Sequence, residues 1–121
     1  MSESFDFGRE AENFAVDYFT ALGYEIVAKN FFYNKAEIDL ILKNENEIIM
    51  VEVKARKSIN INKPEDAVNQ KKKKLLIKAA NEFILRNKLN ADVRFDILAL
   101  VKQNDCWDIN HIKDAFNALE L

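Results

Sequence analysis

Asp39 and Glu52 are the residues of this 121-residue chain whose types and spacing most directly permit chemistry. They stand in two alternating segments, Glu37-Ile38-Asp39-Leu40-Ile41 and Met50-Val51-Glu52-Val53-Lys54, separated by a polar turn containing Asn44 and Asn46. This pattern predicts two strands of one β-hairpin. With Glu45 and Asn46 as the central loop residues, the register sets Asp39 opposite Glu52, with Glu37, Lys54 and Arg56 on the same face. Ile38, Leu40, Leu42, Ile49, Val51 and Val53 then form a wholly apolar opposite face. Opposed carboxylates repel unless something positive lies between them, and a divalent cation is the natural occupant. Cys106 is the only cysteine and His111 the only histidine, so there is no Cys/His cluster for zinc and any metal must be held by oxygen.

The elements that must position these groups follow from periodicity. Ala11, Phe14, Ala15, Tyr18, Phe19 and Leu22 recur at helical spacing and predict a first helix over Gly8 to Leu22, stopped by Gly23. Glu12 lies in its first turns, placed either to compensate the helix dipole or to reach into whatever the helix covers. Tyr24 to Ala28 reads as a short strand, and the hairpin supplies two more. Pro64 suits the start of a second helix running to about Asn87, because Leu76, Ala79, Ala80, Phe83 and Ile84 keep its period. Val93 to Val101 alternates as a strand, Trp107 to Ile109 pairs with it across a turn at Gln103 to Asp105, and Asp114 to Leu119 forms a final short helix.

Length and composition bound the rest. One compact domain is expected, and 49% apolar with 31% charged residues is ordinary for a soluble globular protein. There is no apolar stretch long enough to span a membrane and no signal-peptide pattern at the N-terminus, so a cytoplasmic location is expected. The net charge of -2 hides an asymmetry. Between residues 54 and 78, Lys54, Arg56, Lys57, Lys63, Lys71, Lys72, Lys73, Lys74 and Lys78 face only Glu65 and Asp66. Such a sector beside an acidic cluster suits an enzyme that grips a phosphodiester backbone, although a lysine run is equally a solvated helix face. Lys71 to Lys74 occupy nearly every angle of a helix, so at most two can meet one phosphate. His111 reads as a surface or capping residue, and Phe31, Phe32 and Tyr33 as core, a dimer contact or a base-stacking run.

Asp39 followed thirteen residues later by Glu52-Val53-Lys54 matches the pattern of metal-dependent nucleases in which an acid and an E-x-K pair end adjacent strands. Period-two alternation sends Glu52 and Lys54 to one face while Val53 enters the core. Asp39, Glu52 and the Val53 carbonyl would ligate Mg2+ or Mn2+, and Lys54 would orient the attacking water. The words Gly8-Arg9-Glu10-Ala11-Glu12, Gly23-Tyr24, Asn30, Glu37-Ile38-Asp39-Leu40-Ile41, Val51-Glu52-Val53-Lys54-Ala55-Arg56, Glu65-Asp66-Ala67-Val68, Lys71-Lys72, Ala79-Ala80, Arg94-Phe95-Asp96 and Ala115-Phe116 occur in that order. Together they resemble the bacterial YraN-like (UPF0102) family of predicted endonucleases, which in turn looks like the Holliday-junction resolvases and the wider PD-(D/E)xK, restriction-endonuclease-like fold.

The resemblance implies an α/β fold, a mixed β-sheet flanked by helices in the order α-β-β-β-α-β-β-α. It also implies an active-site set of Glu12, Asp39, Glu52 and Lys54, with Glu12 completing the metal site. Ala36 stands where the family usually has glycine, and Lys73 where it often has glutamine, a role Gln70 could take. Arg9, Arg56, Gln70, Lys71 and Lys72 are the expected nucleic-acid contacts. The expectation is a metal-dependent endonuclease acting on DNA, with structured or branched DNA and a homodimer following by analogy with resolvases. The alternative is a non-catalytic module that keeps the fold and binds nucleic acid or a protein.

Overall fold

In the computed structural model, which describes residues 3–57 and 68–117, a five-stranded mixed sheet is covered by one helix on each face. The elements are α1 (Glu3–Ala21), β1 (Glu25–Tyr33), β2 (Ala36–Asn44), β3 (Glu47–Arg56), α2 (Gln70–Arg86), β4 (Asp92–Gln103) and β5 (Cys106–Phe116). Spatial order equals chain order. The pair β3 and β4 is parallel and the others are antiparallel. A parallel pair needs a crossover, and α2 lies within it. No described helix is long and apolar enough to cross a membrane.

Each helix buries one stripe. Ala11, Ala15 and Phe19, four residues apart on α1, close over Leu40, Leu42, Ile49, Val51, Leu98 and Leu100. Leu76, Ala79, Ala80 and Phe83 of α2 close over Ile38, Ile41, Ile48, Met50, Phe95 and Ile97 on the other face. A fully buried Leu, Ile or Phe contributes ~1.5–3 kcal/mol, so the sheet is held chiefly by these two layers.

The hairpin register is as expected. Asn44 pairs with Glu47 and Leu40 with Val51, so Glu45 and Asn46 form the loop; the ladder stops at Leu40–Val51, and the expected Asp39–Glu52 pair is replaced by a hydrogen bond from the Val53 N–H to Asp39. Glu45 adopts the left-handed conformation that tight hairpins require (φ 56°). The other two hairpins also turn on two residues. Asn34 (φ 55°) begins one, leaving Ala36 in ordinary extended backbone, and Asn104 and Asp105 (φ 50° and 67°) form the other.

Five expectations need correction. The first helix begins at Glu3 rather than Gly8 and ends at Ala21, leaving Leu22 exposed before Gly23 (φ 95°). The strand expected to end at Ala28 runs to Tyr33, so the aromatic run lies within β1, with Phe31 packed edge-on to Phe83 and Phe32 exposed. The second helix starts at Gln70, because the Asn69 side chain accepts the Lys72 N–H and caps it; Pro64 lies outside the described residues. The final helix expected from Asp114 is strand as far as Phe116, which pairs with Phe95, while residues 118–121 lie outside the described residues. Lastly, Ile38 leaves the apolar face assigned to it and joins the core under α2, whereas Leu40 and Leu42 stay under α1. Asn30 of the neighbouring strand is left-handed (φ 53°), and no Asn30–Asp39 pair stands between Lys29–Leu40 and Phe31–Ile38. On β2 the break in period-two alternation falls between Ile38 and Leu40, at Asp39.

Candidate active site

The break in alternation gives Asp39 a role that a regular strand would deny it. Its Oδ2 accepts a hydrogen bond from the Val53 N–H at 2.8 Å, tying the end of β2 to β3. Burial pushes the Asp39 carboxyl up to about 7, with the charge of Glu52 next, then Glu37 and Glu12, against the lowering effect of the Val53 N–H. Glu37 is raised by the same causes in miniature: burial first, then Glu12 and Glu52.

Glu52 is 8% exposed and divides its two oxygens. Oε1 accepts from Lys72 Nζ at 2.8 Å and lies 3.3 Å from Lys54 Nζ. Oε2 is buried and has no hydrogen-bond partner. Burial lowers Lys54, and the adjacent Lys72 adds to that against the pull of Glu52. Burial also opposes the charge on Lys72, but the hydrogen bond to Glu52 and the carboxylates of Glu52 and Asp39 outweigh it, so Lys72 is raised.

Of the residues expected at the site, Asp39, Glu52 and Lys54 are therefore brought together, with the Val53 backbone at their centre. Glu12 reaches the same region from α1: it lines one cleft with Asp39 and accepts a hydrogen bond from Asn30 Nδ2 at 2.7 Å. Arg9 lies on that cleft too. Lys72 differs from its expected place as a backbone contact, since it turns inward onto Glu52, while Gln70 and Lys71 stay exposed at the start of α2. Arg56 ends β3, half-buried, two residues beyond Lys54.

Sequence reasoning missed three things. Lys72 lies on the stripe of Leu76, Ala79 and Phe83, four, seven and eleven residues before them, and that spacing could have singled it out from its lysine neighbours. Asn30 stood among the quoted words without a role; it marks the strand irregularity and holds Glu12. His111 is no surface or capping residue. It is almost fully buried, and its Nε2 lies 2.7 Å from Asp96 Oδ2, which also receives Arg94. Asp96 Oδ1 accepts from Arg94 Nε at 2.8 Å and from the Asp114 N–H at 3.0 Å. Burial would raise the Asp96 carboxyl, but these bonds, led by His111 and Arg94, hold it below the ordinary carboxylate range. The network secures the irregular end of β5, where Asp114 is left-handed, and Asp96 pairs with Val51 beside Glu52.

A buried unpartnered carboxylate oxygen, and an acid raised by burial and then by the charge of that carboxylate, fit a bound cation. Asp39, Glu52 Oε2 and the Val53 carbonyl are the oxygens available to hold it. Among the described residues no three His, Cys, Asp or Glu side chains converge as a metal cage. That is compatible with Mg2+, which commonly takes one or two carboxylates and completes its shell with water and phosphate.

The model of the uncharacterised protein family UPF0102 matches residues 11–100. Over 116 residues the chain is 41% identical to a UPF0102 protein of Flavobacterium psychrophilum, covering 96% of this chain and 98% of the relative. A UPF0102 protein of Thermodesulfovibrio yellowstonii is 42% identical over 111 residues, covering 92% and 96%. One of Chloroherpeton thalassium is 39% identical over 128 residues, covering 98% and 99%. The matched region contains Glu12, Asp39, Glu52, Lys54 and Lys72, so site and fold fall within one shared unit: the chain belongs to the UPF0102 family.

Proposed function

We propose that this protein is a Mg2+- or Mn2+-dependent endonuclease that hydrolyses DNA phosphodiester bonds, with branched or otherwise structured DNA as its substrate class. The observation that carries the reading is Glu52: both lysines sit on Oε1, Oε2 is left buried without a partner, and the charge of Glu52 helps to raise the Asp39 carboxyl. Leaving such an oxygen unsatisfied is costly, and a cation shared with Asp39 removes that cost. When bound, the ion supplies Lewis-acid polarisation of a phosphate oxygen and neutralises its charge.

The chain's own groups do the rest. Asp39, Glu52 Oε2 and the Val53 carbonyl would hold the ion, and Glu12, steadied by Asn30, would add negative charge from α1. Lys54 Nζ orients the attacking water and offsets charge on phosphorus; burial lowers its hold on its proton, which suits it to exchange one with that water. Lys72 keeps Glu52 Oε1 occupied, so that Oε2 remains the oxygen presented. Arg9, Arg56, Gln70 and Lys71 flank the centre as contacts to the DNA backbone. A homodimer would match the two equivalent strands of a four-way junction.

The alternative is a non-catalytic module that keeps the fold and binds nucleic acid or a protein. The test is calorimetric titration of Mg2+ and Mn2+ into the wild type and Glu52→Ala, followed by incubation of each with labelled linear, flap and four-way DNA. Metal binding and cleavage by the wild type, both lost in Glu52→Ala, are the expected result. A folded wild type that binds neither metal refutes the proposal and leaves the binding module.

A further inference from the structure

A cleft of about 660 Å3 opens between α1 and β1, and its inner end is formed by Asp39, Glu12 and Val53. We infer that this cleft binds one unpaired nucleotide beside the scissile phosphate, so that the substrate presents a single strand at the site. The inference rests on the nuclease reading for the identity of that phosphate, but the cleft's own chemistry points to its occupant.

Size sets the first limit. Small-ligand pockets span ~300–1,000 Å3, and this cleft falls within that range. Along α1 it extends from Phe7 to Asn13, roughly 9 Å at the helical rise of 1.5 Å per residue.

Polarity sets the second. The inner end carries the carboxylates of Glu12 and Asp39, which a phosphate can approach only with a cation between them. Lys29 lies exposed on the β1 wall, with Arg9 on the α1 wall opposite. The floor is apolar, made by Ala11, Val53 and Ala55, and the far end is the Phe7 ring. That ring is steadied by Trp107, 5.4 Å away between centroids, and by Lys57 Nζ, 5.4 Å from its centroid. Charge thus gives way to apolar and aromatic surface with distance from the centre. A nucleotide has the same gradient, from phosphate to base. Basic walls with an aromatic platform are the two parts from which single-strand sites are built.

Gly8 makes the cleft testable. It lies on α1 at the cleft wall, and a Cβ added there meets no atom within 4 Å. Gly8→Leu therefore narrows the cleft while raising helix propensity. The experiment is fluorescence anisotropy of a labelled oligothymidylate, and of a blunt duplex of equal length, against wild type, Gly8→Leu and Phe7→Ala. Each is measured in EDTA and in Mg2+, with calorimetric Mg2+ titration and circular dichroism alongside. The wild type should bind the single strand at least tenfold more tightly than the duplex. Each variant should lose roughly tenfold for the single strand, the effect of one lost stacking contact, while Mg2+ affinity and the weak duplex binding stay unchanged. Equal affinity for strand and duplex, or folded variants that bind the single strand as the wild type does, would overturn the inference. Strand binding without cleavage by the wild type would sink the nuclease reading and leave the cleft assignment standing.

Discussion

Replacing Asp39 by asparagine should make the metal-free protein more stable at pH 8, although it removes a residue of the candidate centre. The folded-state carboxyl is pushed up to about 7 from the ordinary 3.8, by burial first and by Glu52 next. A raised acid binds its proton more tightly in the folded than in the unfolded state. Its penalty is absent below the unfolded value, grows as pH rises from about 4, and is complete above about 7. Three pH units correspond to a ceiling of ~4 kcal/mol, of which ~2–3 kcal/mol develops between pH 5 and pH 8. Asp39 is only partly shielded from water and shares its field with Glu52, so ~1–2 kcal/mol is the working expectation. Asparagine keeps an oxygen to accept the Val53 N–H, and the substitution therefore isolates charge from the hydrogen bond. The assay is urea unfolding in EDTA at pH 5 and pH 8 for wild type and Asp39→Asn. The wild type should lose stability relative to Asp39→Asn between the two, and saturating Mg2+ at pH 8 should recover it for the wild type alone. Parallel pH dependence in the two proteins would refute the argument that Asp39 carries uncompensated charge.

Lys72→Met removes an ammonium competing for Glu52 and should tighten Mg2+ binding severalfold while reducing DNA cleavage; weaker Mg2+ binding by calorimetry would show that Lys72 is needed to hold Glu52 in place. Asp96→Ala removes the carboxylate beside His111 and leaves Arg94 only Glu47 and Tyr24, and should cost ~3 kcal/mol in chemical denaturation, with a loss below ~1 kcal/mol contradicting a structural role for the network. Asn69→Ala deletes the cap on α2 and should cost ~1 kcal/mol, read as a lower urea midpoint with unchanged slope.

The hairpin that carries Asp39 and Glu52 was legible in the chain because its information is local. Alternating β-branched and charged residues around a two-residue loop fix pairing to a single register, and a slip by one would turn every side chain to the wrong face. The stripes of α1 and α2 were legible for the same reason, since a helix face repeats within a few residues. Helix ends were less so. Pro64 suited a first turn, but Asn69 supplies the cap that starts α2.

What required the folded chain were relations between residues distant in sequence. Four consecutive lysines look alike until α2 docks on the sheet and turns Lys72 towards Glu52. Asp114 to Phe116 has no local bar to a helix; it is strand because Asp96 takes the Asp114 N–H and Phe95 pairs with Phe116. Ile38 sits where alternation would place it on the α1 face, yet it lies under α2, and Asp39 is set against the Val53 N–H. By itself the sequence determined which acids and lysines could do chemistry and the register of the hairpin that carries two of them, because short-range patterning encodes both. Tertiary structure alone decided which charges are left unpaired, because burial and partnership are made by elements that meet only once the sheet has closed between its two helices.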